Sequence, residues 1–352
     1  MDDASRARLR AAQQQFSPEN TYLNTATHGL TPHRALRALE RHTREVATGR
    51  FSPADADSGI DRVRAAHARM TGVDADDVAV GSHVSPFVGT VAASLAPGAE
   101  VLLARDEFTS VAFPLLARQE DGVRVREVPL ERLPEEVGPA TSLVAVSAVQ
   151  SADGAVAPVD DLVRACADHG ARLLVDTTQS AGWLHLDADR IDYTVCSTYK
   201  WLLGTRGAAL LTGTPEALAA LRPRAANWYA GEDRWTSLYG GPLRLAGRAR
   251  RLDLSPVWSA WTTLEESLAL LEEVGVRTIG EHNGVLGDRL REALDMEPVG
   301  SAIVSVPADE EAVRRVAEAG VATSARNGKL RAAFHLYNDE SDVDRLVKAL
   351  RG

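Results

Sequence analysis

Seven short apolar runs recur along the first two thirds of the chain and constrain its fold more than any other feature. They are Asp77–Gly81, Glu100–Arg105, Val123–Val128, Ser142–Ala148, Ala171–Asp176, Asp192–Ser197 and Gly207–Leu211. All are rich in Val, Leu and Ala and bounded by Gly, Pro or Asp. Several are apolar at consecutive positions instead of alternate ones, so the strands they form need cover on both faces. Helical patterns supply that cover: Val84–Leu95 follows the first run, and Val159–His169 precedes Ala171–Asp176. The alternation predicts an α/β fold around a mostly parallel, seven-stranded sheet.

After about residue 262 the texture changes. Helical stretches at Leu264–Glu273 and Arg277–Leu294 lead into a smaller unit. It reads strand (Ser301–Val306), helix (Asp309–Ala319), strand (Lys329–Leu336) and helix (Ser341–Leu350). The expected organisation is a large α/β domain over 21–261 and a small α+β domain over 1–20 and 262–352. Pro256, Trp258 and Trp261 crowd the junction, as a hinge or an oligomer contact.

Composition narrows the function. With 352 residues the chain can bury a large core, and its net charge of −10 lacks the basic bias of a nucleic-acid binder. Two cysteines, Cys166 and Cys196, exclude a disulfide framework and a four-cysteine zinc site, and no metal is expected. No apolar run approaches the roughly 18–20 residues that span a bilayer, so no membrane partner is expected. The start, Met1-Asp2-Asp3-Ala4-Ser5-Arg6, lacks a signal peptide's basic and apolar regions, and a cytoplasmic location is expected. Only three of the 39 basic residues are lysines: Lys200, Lys329 and Lys348. Chemistry that needs a lysine amine has few places to reside.

In an open α/β sheet, ligands lie beyond the carboxyl ends of the strands. Asp176-Thr177-Thr178-Gln179 follows the apolar Leu173-Leu174-Val175, and a carboxylate there is costly unless it meets a cation or a metal. Ser197-Thr198-Tyr199-Lys200-Trp201-Leu202-Leu203-Gly204 follows Tyr193–Cys196. Desolvation between a strand and Trp-Leu-Leu lowers a lysine's pKa and frees its amine as a nucleophile. Taken alone, the two groups fit a structural ion pair equally well.

Together these segments resemble the class V aminotransferase family, the fold-type-I enzymes of pyridoxal 5′-phosphate (PLP). The resemblance runs from Tyr22-Leu23-Asn24-Thr25-Ala26 to Arg331-Ala332-Ala333-Phe334-His335-Leu336-Tyr337-Asn338. It implies a fold-type-I PLP-dependent transferase fold. Lys200 matches the lysine that carries PLP and moves protons at the substrate Cα. Asp176 matches the carboxylate that keeps the ring nitrogen protonated, and Gln179 the residue at the ring's phenolic oxygen. Gly81-Ser82-His83, opening a helix near Val84, matches the phosphate turn, with Ser197 adding a hydroxyl; Ser82 also reads as a plain helix cap. Phe108 falls where the family stacks an aromatic ring on the cofactor, and otherwise reads as core. Ser151 stands at a position that is often Asn, near the cofactor oxygen. Ser255 resembles a segment that reaches the partner's phosphate in the family dimer, and a homodimer is implied. Arg331 matches the arginine that grips an amino-acid substrate's α-carboxylate, against the alternative of a surface arginine. Asn24 and His28, in Asn24-Thr25-Ala26-Thr27-His28-Gly29, are candidates for the substrate entrance; His28 serves equally well as a cap or packing residue.

Departures carry information. Tyr199 stands where the family often has His, and its hydroxyl can still reach a phosphate. Gly204-Thr205 replaces the usual Gly-Pro. The segment Val321–Arg331, VATSARNGKLR, lacks the cysteine that desulfurases carry before the arginine. A persulfide needs a thiol nucleophile, and Cys166 and Cys196 read as buried packing residues. The pattern looks most like C–S lyases of cysteine S-conjugates, of the ergothioneine-pathway type. The expected reaction is β-elimination giving a thiol, pyruvate and ammonia. Alternatives are an aminotransferase or epimerase of the same family, or a non-catalytic binding protein on the same fold.

Overall fold

A computed structural model describes residues 1–326 and 328–352. Twelve strands occur among them: β1 (Thr21–Tyr22), β2 (Val78–Gly81), β3 (Glu100–Ala104), β4 (Arg124–Val128), β5 (Thr141–Ser147), β6 (Arg172–Asp176), β7 (Tyr193–Ser197), β8 (Ala209–Gly213), β9 (Ile303–Pro307), β10 (Val321–Ala322), β11 (Ser324–Arg326) and β12 (Lys329–Ala333). β2 to β8 form one seven-stranded sheet in the order β2-β8-β7-β6-β5-β3-β4. The five strands β7-β6-β5-β3-β4 run parallel; β8 is antiparallel to both neighbours.

The residues of β6 explain the two-sided cover. Leu174 packs with Phe87, Val88, Val111 and Leu115, on the helices Val84–Ala92 and Thr109–Leu116. Leu173 and Val175 point the other way, to Leu162 and Cys166 on the helix Val159–His169. Successive side chains of a strand alternate faces, so an unbroken apolar run serves both layers. Each buried Leu or Val contributes about 1.5–3 kcal/mol.

The small unit is a three-stranded antiparallel sheet, β11-β12-β9, beside the two-stranded pair β1-β10, backed by the helices Val276–Ala293, Glu310–Glu318 and Glu340–Arg351. We propose the large unit 21–261 and the small unit 1–20 with 262–352 as the organisation of the chain. The helix Trp258–Val274 runs through the 261/262 junction, and β1 of the large unit pairs with β10 of the small one.

Three local expectations shift. The strand expected to reach Leu336 ends at Ala333, because the His335 amide turns to Asn338 Oδ1 (2.9 Å) instead of a strand. The helix expected to reach Leu95 ends at Ala92. The long helices His33–Ala47 and Pro53–Thr71, outside the expectation, lean on Trp258–Val274. No helix among the described residues is long and apolar enough to cross a membrane.

Candidate active site

β5, β6 and β7 end side by side at Ser147, Asp176 and Ser197, with Ser147 paired to Asp176 in register. Their carboxyl ends form the floor of a cavity of about 360 Å³. Gln179, Tyr199, Lys200, Val84, Phe108, Ser110 and Ser151 line it further. A larger groove of about 730 Å³ lies elsewhere, where Arg62 pairs with Glu265 at 2.5 Å.

Lys200 is 6% exposed, and burial lowers its pKa to about 8; the Asp176 charge opposes that shift, while Arg331 and Arg326 add to it. Asp176 is 4% exposed, and burial raises its pKa to about 6 although the Thr178 hydroxyl and amide hold it down. The Thr178 amide donates to Asp176 Oδ1 at 2.7 Å. Among the described residues no ion pair joins Asp176 to Lys200, so the purely structural pairing left open by the sequence is not found. Both groups face the cavity, near enough for their charges to act on each other but not in ion-pair contact.

Phe108 is 45% exposed because one side of its ring faces the cavity, with Lys200 Nζ 5.3 Å from the ring centre. It caps the helix Thr109–Leu116, and its amide donates to Glu107 Oε1 at 2.7 Å. Buried Glu107 also accepts from the Ser147 amide (2.8 Å) and hydroxyl (2.5 Å) and from Gln150 Nε2 (3.0 Å). The sequence reading missed Glu107. An acid between a strand end and an aromatic residue was the available signal. Tyr199 lies under the Arg206 guanidinium, 4.6 Å from the ring centre, and 5.7 Å from the His28 ring. His28 Nδ1 lies 2.7 Å from the Gly29 carbonyl oxygen.

Arg331 is 1% exposed, and burial lowers its pKa to about 10. Its guanidinium donates to the Ser151 carbonyl and hydroxyl, to Thr27 Oγ1 (2.8 Å) and to Ser324 Oγ (3.2 Å). Its burial removes the surface-arginine alternative, and no carboxylate pairs with it among the described residues. Ser151 Oγ also accepts from Gln179 Nε2 (3.2 Å), linking the arginine to the cavity wall. Gln179 is held further by Ala26 O (3.0 Å) and Trp201 Nε1 (2.8 Å). Asn24 bridges Ala333 through its backbone, and its buried Oδ1 has no hydrogen-bond partner.

The expected phosphate turn sits where β2 meets the helix Val84–Ala92. His83 is the capping position, extended and exposed, and makes no side-chain cap bond; Ser82 lies one residue earlier and is half-buried. Neither residue lines the cavity, whereas Val84 of the first turn does. Ser255 is exposed and also lies outside the cavity. Its neighbour Leu254 donates its amide to Val80 O of β2 at 2.9 Å, which holds this segment near the turn.

Comparison with known proteins gives this arrangement a family. The aminotransferase class-V family profile matches residues 54–316, about three quarters of the chain. The chain belongs to the class V aminotransferase family and is a PLP-dependent enzyme of that family. It is 28% identical to isopenicillin N epimerase of Streptomyces clavuligerus, with 95% of each chain covered. It is 29% identical to a cysteine desulfurase of Frankia sp. (strain EuIK1), over 82% of this chain and 70% of the relative. Its fold is similar to that of the cystine C–S lyase C-DES in complex with its reaction product cysteine persulfide, with a TM-score of 0.85 and 23% identity over 94% of this chain and 97% of the other.

The residues present fit the cofactor. Asp176 is a buried carboxylate lacking a cation, and a protonated pyridine nitrogen is one. The open side of the Phe108 ring offers a flat apolar face to a flat heterocycle. Lys200 offers an amine that burial makes easier to deprotonate.

Proposed function

We propose that the chain is a C–S β-lyase that splits a cysteine S-conjugate into a thiol, pyruvate and ammonia. PLP, when bound, supplies an electron sink that makes the substrate Cα–H acidic. Asp176 would keep the ring nitrogen protonated, Gln179 and Ser151 would hold the ring oxygen, and Phe108 would cover one ring face. Ser197 and Tyr199 would hold the phosphate from the cavity, and Ser82 and His83 would reach it from the turn beside it, with the amides of the first turn of Val84–Ala92. Ser255 serves the phosphate of a partner copy in a homodimer.

Arg331 holds the substrate α-carboxylate through two parallel hydrogen bonds, and Asn24 and His28 flank the entry. Lys200, its amine freed, takes the Cα proton. The Cβ–S bond then breaks with its electron pair going to sulfur, which leaves as the thiolate and takes up a proton, equivalent to the one Lys200 removed from Cα, to give the thiol. The remaining aminoacrylate hydrolyses to pyruvate and ammonia.

The observation that carries this reading is a site holding a lysine base and an unpaired buried arginine but no thiol. Cys166 and Cys196 are both buried, and burial pushes each thiol up to about 12. Neither serves as the nucleophile of a protein persulfide, which disfavours the chemistry named for the desulfurase relative. The similarity to the epimerase favours one second reading, return of the proton to the opposite face of Cα. Incubating the purified holoenzyme with cysteine conjugates separates these readings. Pyruvate and free thiol are expected. Keto-acid-dependent amino transfer, or inversion at Cα, without pyruvate would replace the lyase reading.

A further inference from the structure

In a chain whose net charge is −10, one cation without an ion-pair partner lines the cavity, two more touch its lining residues (Arg331 at Ser151, Arg206 at Tyr199), and a fourth stands in the hairpin that carries Arg331. They are Lys200, Arg206, Arg326 and Arg331, and among the described residues none forms an ion pair. Lys200 carries the cofactor and Arg331 faces the α-carboxylate in the reading above. Arg206 lies over the Tyr199 ring. The acids Glu107 and Asp176 are already engaged: Glu107 accepts four hydrogen bonds, and Asp176 accepts from the Thr178 amide and is given to the cofactor nitrogen in the reading above. Arg326 is left with no assigned anion.

Its place in the hairpin β11-β12 aims it at the same ligand. Ser324 pairs directly with Arg331, and the Ser324 hydroxyl accepts from Arg331 Nε. Arg326 is two residues further along β11, on the same face of the strand. Its Cα is therefore about 7 Å beyond Ser324, toward the exposed end of the hairpin. Its side chain is exposed, with Nη1 resting on its own strand at Ala325 O (2.7 Å), so it is free to swing. Lys329, paired with Arg326 across the hairpin, adds a second exposed cation to this rim. The Arg326 charge also depresses both Lys200 and Arg331, which agrees with a position at the mouth of the same cavity.

We propose that Arg326 forms a second anion subsite, and that the substrate is a cysteine S-conjugate whose sulfur substituent ends in a carboxylate. This inference rests on the lyase reading and names its substrate class. Arg331 fixes the amino-acid end, and Arg326 takes the charged end that projects from sulfur toward solvent.

The test uses two conjugates of equal shape, S-(2-carboxyethyl)cysteine and its uncharged carboxamide, S-(2-carbamoylethyl)cysteine. The holoenzyme is expected to favour the carboxylate about tenfold in kcat/KM, through KM, as a charge-assisted hydrogen bond implies. Arg326→Gln should abolish that preference, Arg326→Lys should restore part of it, and Arg326→Glu should reverse it. An unchanged preference in Arg326→Gln, or none in the wild type, overturns the subsite. A second readout separates this from failure of the lyase reading. The visible absorption of the bound cofactor is titrated with 2-aminoadipate and with its side-chain amide, which need no C–S bond. Tighter binding of the dicarboxylate that is lost in Arg326→Gln upholds the subsite even if no pyruvate forms from any conjugate. Equal binding of the two ligands overturns it.

Discussion

Asp176 and Lys200 shift in opposite directions for one reason: burial opposes the charge on each. Asp176 ordinarily ionises at 3.8 and does so here at about 6. Between those values the folded, cofactor-free chain holds a proton that the unfolded chain has lost. Stability therefore falls as pH rises from about 4 to 6, by up to ~3 kcal/mol. Lys200 releases its proton at about 8 instead of 10.5. Between those values the unfolded chain holds the extra proton, so stability rises as pH climbs from about 8 to 10.5. Bound PLP offers Asp176 a cation and should flatten the acid limb. Thermal unfolding with and without PLP across pH 4 to 10 checks both slopes, and a flat acid limb without cofactor contradicts the account. Arg331→Gln should raise the substrate KM about 10- to 100-fold, the value of a charge-assisted pair, while cofactor uptake measured by absorption is retained. Loss of cofactor uptake instead would show that Arg331 only holds the fold.

The elements bring these residues together through close approaches that no local pattern announces. The Gly29 amide donates to Tyr199 O at 2.9 Å, and a Cβ at Gly29 would overlap the Lys200 carbonyl oxygen. Gly29→Ala should therefore displace the lysine loop. The expected outcome is a destabilisation of about 1–3 kcal/mol by thermal unfolding, with a lower cofactor content. A variant with wild-type stability and cofactor content would remove that role. His335 locks the same loop from the small unit. Its Nε2 donates to Trp201 O (2.9 Å) while Nδ1 accepts from the Leu336 amide (2.6 Å), and burial holds its pKa down at about 4. The seven strands were legible because each must cover two faces with apolar side chains. Lys200, Asp176 and Phe108 were legible as the residues that follow those strands. β10 and β11 are too short to show a period, and their pairing depends on β1 and β12. The helix Pro53–Thr71 buries Asp57, Arg64 and His67 among its apolar residues, which blurs its stripe. Arg64 meets Asp61 at 3.7 Å, but its buried partner is Asp253 (2.8 Å), far along the chain. Glu107 was hidden because its value lies in four bonds to Phe108, Ser147 and Gln150, none of which the spacing of residues discloses.

For the whole molecule, the parallel sheet sets the strand ends beside one another, and the small unit supplies Arg331 across from them. The proposed elimination chemistry draws on that placement: Lys200, Asp176 and Arg331 form no ion pair among the described residues, and cofactor and substrate would supply their counter-charges. A homodimer would complete the proposed phosphate site, and light scattering should then give about twice the 37.7 kDa of one chain. A mass of one chain in active enzyme would remove Ser255 from the site. The most direct test follows thiol and pyruvate together from S-(2-carboxyethyl)cysteine, in wild type and in Lys200→Ala, each supplied with PLP. The account expects one thiol per pyruvate from the wild type and neither product from Lys200→Ala. Amino transfer to a keto acid without pyruvate, or undiminished pyruvate from Lys200→Ala, would contradict it.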